Sequence, residues 1–178
     1  MKVREKWGLL LLVAVLCVAL TGCVDQDGAV QREKRQPTAE EAMQALQQQF
    51  PEAIDTVIVY DEYTDPNKLL GRPGEYLGKA DFVDSRIEMN KNPYMSEALK
   101  EGGTLECFAK AADCDARYDY LCSMNGIELG VFGANAYLYK YERAIFRVSY
   151  QLPPADAAAY QQAMDGIFGE ASTAYDGE

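Results

Sequence analysis

Ala136-Tyr137-Leu138-Tyr139-Lys140-Tyr141-Glu142-Arg143-Ala144-Ile145-Phe146-Arg147-Val148-Ser149-Tyr150 is the stretch that decides the fold. Aromatic and β-branched residues alternate with polar ones at a period of two, the pattern of paired strands. Residues 136–141 and 144–150 read as a hairpin joined by Glu142-Arg143. That register sets Tyr141 opposite Ala144, Tyr139 opposite Phe146 and Tyr137 opposite Val148. One face is then aromatic and apolar, and the other carries Lys140, Arg147 and Ser149 around Ile145. A two-residue turn favours φ > 0, which suits Gly and not Glu142, so a longer turn stays open.

Upstream of the hairpin, Gly102-Gly103 reads as a turn into a strand at 104–108. Residues 111–124 form a helix with Cys114, Tyr118, Leu121 and Cys122 on one face, and Asn125-Gly126 is its stop. Residues 80–89 and 56–60 read as two further strands, and 91–100 as a loop or short helix. Thr38-Ala39-Glu40-Glu41 is a capping box opening a helix with Ala42, Leu46 and Phe50 on its apolar face, ended by Pro51. Pro153-Pro154 opens a last helix, lined by Ala158, Met164, Ile167 and Phe168 and ended by Gly169. From Ala171 the chain reads as a frayed tail.

The order α, β, β, β, α, β, β, α predicts one α+β domain over 38–169. It should hold an antiparallel-rich sheet of about five strands, with about three helices mainly on one face. Residues 1–22 read as a signal peptide, 23–37 as Cys23 with a flexible linker, and 170–178 as a disordered tail.

The N-terminus gives an address. Lys2, Arg4 and Lys6 precede an apolar run from Trp7 to Leu20, closed by Leu20-Thr21-Gly22-Cys23. About 14 apolar residues span roughly 21 Å, short of the ~30 Å hydrocarbon core, so a cleaved segment fits better than a spanning helix. The four closing residues resemble a bacterial lipobox. The resemblance implies that Cys23 is acylated and becomes the mature N-terminus, anchored to the outer side of the cytoplasmic membrane. Asp25 then resembles an inner-membrane retention signal of two-membrane bacteria.

Charge and composition exclude several functions. Removing residues 1–22 takes the net charge from −11 to −13. Such a chain repels phosphate backbones, so nucleic acid is not an expected partner, and basic partners or cations suit it better. There is no histidine. That removes the usual neutral-pH base, the Ser-His-Asp and Cys-His arrangements, and His-containing metal sites. Asp25-x-Asp27-Gly28 lacks the remaining ligands of a calcium loop. No metal site or cofactor is expected. After Cys17 and Cys23, an odd number of cysteines remains: Cys107, Cys114 and Cys122. Cys114 and Cys122 are about 12 Å apart along one helix, too far to bridge. Either all three are buried thiols or Cys107 pairs with one of the others.

Three segments resemble small Gram-positive lipoproteins of unestablished function. They are Asp65-Pro66-Asn67-Lys68-Leu69-Leu70-Gly71-Arg72-Pro73-Gly74-Glu75-Tyr76, then Lys79-Ala80-Asp81-Phe82-Val83-Asp84-Ser85-Arg86, then Gly102-Gly103-Thr104-Leu105-Glu106-Cys107-Phe108. The resemblance implies fold and location and no chemistry.

Leu70-Gly71-Arg72-Pro73-Gly74 lacks the Lys and helix start of a phosphate loop, and reads as a rigid double turn. On it, Arg72, with Tyr76 and Lys79, is the candidate docking surface for a carboxylate or a protein partner. Asp81 and Asp84 have opposite strand parity, which argues against a two-carboxylate glycosidase; ion pairs with Arg86 or Arg72 fit them better. Tyr137, Tyr139, Tyr141 and Tyr150 read as core and core edge rather than a sugar platform. The sequence therefore predicts a non-catalytic, membrane-tethered interaction module for an envelope protein or wall component. A carboxylate-dependent envelope hydrolase and a small-ligand-binding lipoprotein are the alternatives.

Overall fold

The computed structural model describes residues 35–88, 97–125 and 135–175. The signal, Cys23 and nearly all of the linker lie outside them, as do most of the segment before Glu97, Gly126 with the loop after it, and the last three residues.

Among the described residues ten elements follow one another: α1 (Ala39–Gln49), β1 (Ile54–Val59), β2 (Gly78–Asp84), α2 (Glu97–Glu101), β3 (Gly102–Cys107), α3 (Ala111–Met124), β4 (Ala136–Lys140), β5 (Ala144–Ser149), α4 (Pro154–Phe168) and β6 (Thr173–Ala174). The strands form one antiparallel sheet in the order β1-β2-β3-β5-β4-β6, so the fold is α+β. No helix among the described residues is long and apolar enough to cross a membrane.

The hairpin has the expected register, with Tyr137 opposite Val148 and Tyr139 opposite Phe146. Its connection is indeed Glu142-Arg143, closed by the Tyr141 N–H on the Ala144 carbonyl. Neither turn residue has positive φ. Distant segments satisfy the turn instead. Glu142 N–H donates to Glu170, and the Arg143 carbonyl accepts from Phe108 N–H and Gln36 Nε2. Tertiary bonds thus stabilise a turn whose residues do not favour it locally.

The helix ends follow their local chemistry. Thr38 and Glu41 form the reciprocal capping box of α1. Gly169, at φ 73°, closes α4 in the left-handed conformation. Asn125 caps α3, and its side-chain amide pairs with both the N–H and the carbonyl of Ala136, joining the helix end to β4.

One sheet face packs Phe82, Leu105, Phe146, Val148 and Tyr139 against Met43 and Leu46 of α1 and Tyr160, Met164 and Phe168 of α4. In α4, Met164 and Phe168 are buried and Ile167 is partly so, as expected, whereas Ala157 is buried in place of Ala158. Gly102 and Gly103 lie within β3, not in a turn. A Cβ on Gly102 would sit 2.0 Å from the Phe82 carbonyl oxygen, and one on Gly103 would sit 2.4 Å from the Phe82 ring. The glycines make room for that ring. The expected frayed tail contributes β6, which pairs with Tyr139 and Lys140.

The second face is covered as well. Leu99 of α2 packs on Ala136 and Leu138, and Cys114 of α3 packs with Ile145, Phe108 and Tyr76. Among the described residues two helices therefore lie on each face, rather than about three mainly on one. Cys107 belongs to the first face and Cys114 to the second, with the sheet between them; Cys107, Cys114 and Cys122 are all free thiols.

Candidate functional site

The segment between β1 and β2 is built around one carboxylate. Asp65 is fully buried. It accepts from the N–H groups of Asn67, Leu69 and Leu70, from the Tyr76 hydroxyl at 2.7 Å and from Lys79 Nζ at 3.2 Å. Burial alone would raise its pKa; these donors outweigh it and hold the carboxyl well below the usual range. Two turns follow. Arg72 N–H bonds to the Leu69 carbonyl, and Glu75 N–H to that of Arg72. Gly71 at φ 79° and Gly74 at φ 81° occupy the third positions, where a type II turn needs positive φ, and Pro73 sets the second position of the latter turn.

The docking trio is therefore split. Tyr76 and Lys79 are buried, at 0% and 3% exposure, and serve Asp65. Arg72 alone is exposed. Tyr76 and Lys79 cannot meet a partner directly; they fix the loop that presents Arg72. Tyr139 and Tyr141 are core residues, and Tyr150 is half exposed, its ring 4.3 Å from that of Tyr137.

Beneath the loop, the second sheet face carries charge in register. Asp81, Thr104 and Arg147 form one cross-strand row, and Lys79, Glu106 and Ile145 the next. Glu106 is fully buried and accepts from Arg117 Nε and Nη2, each at 2.9 Å, and from Arg147 Nη2 at 3.2 Å. Burial raises its pKa, but the Arg147 charge and the Arg117 bonds prevail and hold it low. Asp81 takes the Tyr60 hydroxyl at 2.8 Å on one oxygen. Among the described residues its other oxygen, Thr104 Oγ1 and Arg147 Nε have no hydrogen-bond partner. Burial dominates at Asp81, and the Lys79 charge and the Tyr60 bond offset it only in part, so its pKa is raised. On the opposite face, Asp84 binds Arg86 and the Tyr160 hydroxyl. The two aspartates sit on opposite sides of the sheet, as their parity requires.

A cleft of about 350 Å³ separates the loop from α3, lined by Leu69, Gly74, Glu75, Asp113, Arg117 and Tyr120 among others. Arg117 lies at 5.6 Å over the Tyr120 ring while its Nε and Nη2 are held by Glu106. The cleft offers two carboxylates, an aromatic wall and a guanidinium already neutralised from behind. Neither Glu75 nor Asp113 is buried. The sequence signals for Asp65, Glu106, Arg117 and the cleft are weak. Charged residues at every second strand position suggest a solvated face until the register shows opposite charges side by side.

No protein-family model, no curated protein and no solved structure matches the chain.

Proposed function

We propose that this chain is a non-catalytic interaction module, tethered by a lipid on Cys23 to the extracytoplasmic face of the membrane. It docks an envelope protein or wall component through the Arg72 loop and the sheet edge beside it. The observation that carries the reading is a loop held rigid by five donors on Asp65 while presenting Arg72 to solvent. A loop ordered before binding loses little entropy on docking. The lipobox supports the address. The engagement of the sheet carboxylates in structural bonds supports a non-catalytic role, since a two-carboxylate hydrolase needs both groups in one open site.

A second reading rests on the cleft. Glu75, Asp113 and Tyr120 suit a small cationic ligand by charge and by the aromatic wall.

In-cell crosslinking of the full chain, followed by mass spectrometry, tests the first reading. One dominant envelope partner, crosslinked near the 65–86 segment and lost with Arg72→Ala, is expected. Unchanged capture by Arg72→Ala removes the loop as the docking site. Metabolic labelling with an alkyne fatty acid tests the anchor: label present in the parent and absent in Cys23→Ser is expected.

A further inference from the structure

We propose that the free edge of β1 takes an extended, basic segment of a partner protein by strand addition. This rests on the interaction-module reading and names the binding mode and the partner's chemistry.

Among the described residues strand β1 ends the sheet, paired on one side only by β2. Tyr60 N–H donates inward to the Lys79 carbonyl. Inward and outward groups alternate along an antiparallel strand, so the N–H and carbonyl groups of Val57 and Val59 face away from the sheet. An edge of this kind is a template for another strand, and proteins usually blunt it with Lys, Pro or a short length. Here the edge reads Ile54-Asp55-Thr56-Val57-Ile58-Val59 and has neither Lys nor Pro. Two protective devices are present, and one is the irregularity between Ile54 and Thr56. Gln47 Nε2 also covers the carbonyls of Ile54 and Asp55. Both devices sit at the same end. Among the described residues nothing covers the other end, which carries exposed apolar side chains, Ile58 at 39% and Val59 at 46%, with Tyr63 at 80% in the turn beyond it.

Charge selects the occupant. Glu52, Asp55, Asp61 and Glu62 are all exposed, and between Pro51 and Asn67 there is no Lys or Arg; the next cation, Lys68, donates to the Tyr63 carbonyl and offsets only Asp61, which leaves the edge net acidic. Arg86, near the Ile54 end, is paired with Asp84 and Asp156. A second copy of the chain would bring four more carboxylates to the same edge. A strand alternating apolar residues with Lys or Arg would pair with the backbone, cover Ile58 or Val59 and meet the carboxylates.

The test uses the full chain in mild detergent and a capped peptide of alternating Val and Lys, about eight residues long to match a strand. Hydrogen exchange should slow at residues 54–60 with this peptide and not with its Val-Glu counterpart. Val59→Pro deletes an outward N–H without touching the β1–β2 ladder, and should weaken binding about tenfold or more. Asp55→Lys with Glu62→Lys, both on the surface, should weaken it about fivefold or more and reduce its salt dependence. Arg72→Ala should leave peptide binding unchanged, which separates this edge from the loop. Equal protection by the Val-Glu peptide, unchanged binding by both variants, or protection of 54–60 that grows with chain concentration without peptide would each overturn the proposal.

Discussion

Replacing Glu106 by Gln tests the central energetic claim, that the second sheet face is held by a balanced buried charge network. The side chain is fully buried and serves three guanidinium donors, two at 2.9 Å and one at 3.2 Å. Gln keeps the volume and removes the charge. Its amide oxygen can still accept, but its NH₂ group faces a donor. Arg147, buried, and Arg117, partly buried, then remain with no carboxylate between them, and Lys79 adds to the repulsion. Breaking a buried pair from one side costs about 3–5 kcal/mol. For a domain of this size each kcal/mol lowers Tm by about 4 °C, so a drop of roughly 12–20 °C is expected. Urea denaturation and thermal melting followed by circular dichroism measure it. A triple variant, Glu106→Leu with Arg117→Met and Arg147→Leu, should recover most of the loss, because desolvation of all three charges disappears with their attraction. If Glu106→Gln stays within about 1 kcal/mol of the parent, the charges are hydrated or differently paired, and the reasoning fails.

Acid should unfold the protein cooperatively. At Asp65, Asp84 and Glu106, burial raises the pKa but is outweighed by donors and positive charge, so each folded value lies below the ordinary one. Their stabilisation is complete above the unfolded values near pH 4 and is lost as pH falls through the lower folded ones, so unfolding free energy should decline below about pH 4. Asp81 has the opposite sign: its raised folded pKa makes the ionised form a cost at neutral pH that is relieved as pH falls. Asp81→Asn should therefore raise neutral-pH stability by about 1 kcal/mol; a loss on urea titration would show that its charge is needed by Lys79 and Arg147. Gly103→Ala should cost about 3 kcal/mol or more in the same titration, because the new Cβ would meet the Arg147 carbonyl oxygen at 2.3 Å and the Phe82 ring at 2.4 Å. Burial pushes the Cys107 and Cys114 thiols up to about 12, while Cys122 is less buried. Alkylation timed by mass spectrometry should modify Cys122 first, with Cys107 and Cys114 reacting only as the chain unfolds.

The parts of the fold legible in the sequence are those whose signals are local. The capping box at Thr38 and Glu41, Pro153-Pro154, Gly169 and the period-two hairpin each fix an element through contacts within a few residues. The misplacements have tertiary causes. Gly102-Gly103 resembles a turn but is a strand hollowed out for Phe82. The tail gains order from the β4 backbone and from Asp165, which accepts the Ser172 N–H. A run rich in alanine also leaves the helical phase weakly marked, so Ala157 and Ala158 exchange places with little local penalty until Tyr160 docks between Phe50 and Phe82.

The candidate site was less legible, for a reason specific to charge. A strand with Lys79 and Asp81 on one face, or Thr104 and Glu106, resembles a solvent-facing strand when read alone. Burial becomes tolerable only when three strands set unlike charges side by side and α3 adds Arg117 from above. The hairpin, the one pairing the sequence specifies, sets Arg147 opposite Leu138; its ionic partner comes from β3 instead. The same geometry narrows where recognition can occur. Lys79, Asp81, Glu106 and Arg147 are each 7% exposed or less, so no partner reaches them without dismantling the layer above. The Arg72 turn, the cleft beside Tyr120 and the far end of β1 are accessible among the described residues. Asp65 connects two of these, since it orders the loop between β1 and β2. Asp65→Asn keeps the shape but weakens every donor contact at once, and should therefore loosen the Arg72 turn before it unfolds the sheet, a sequence that hydrogen exchange resolves residue by residue.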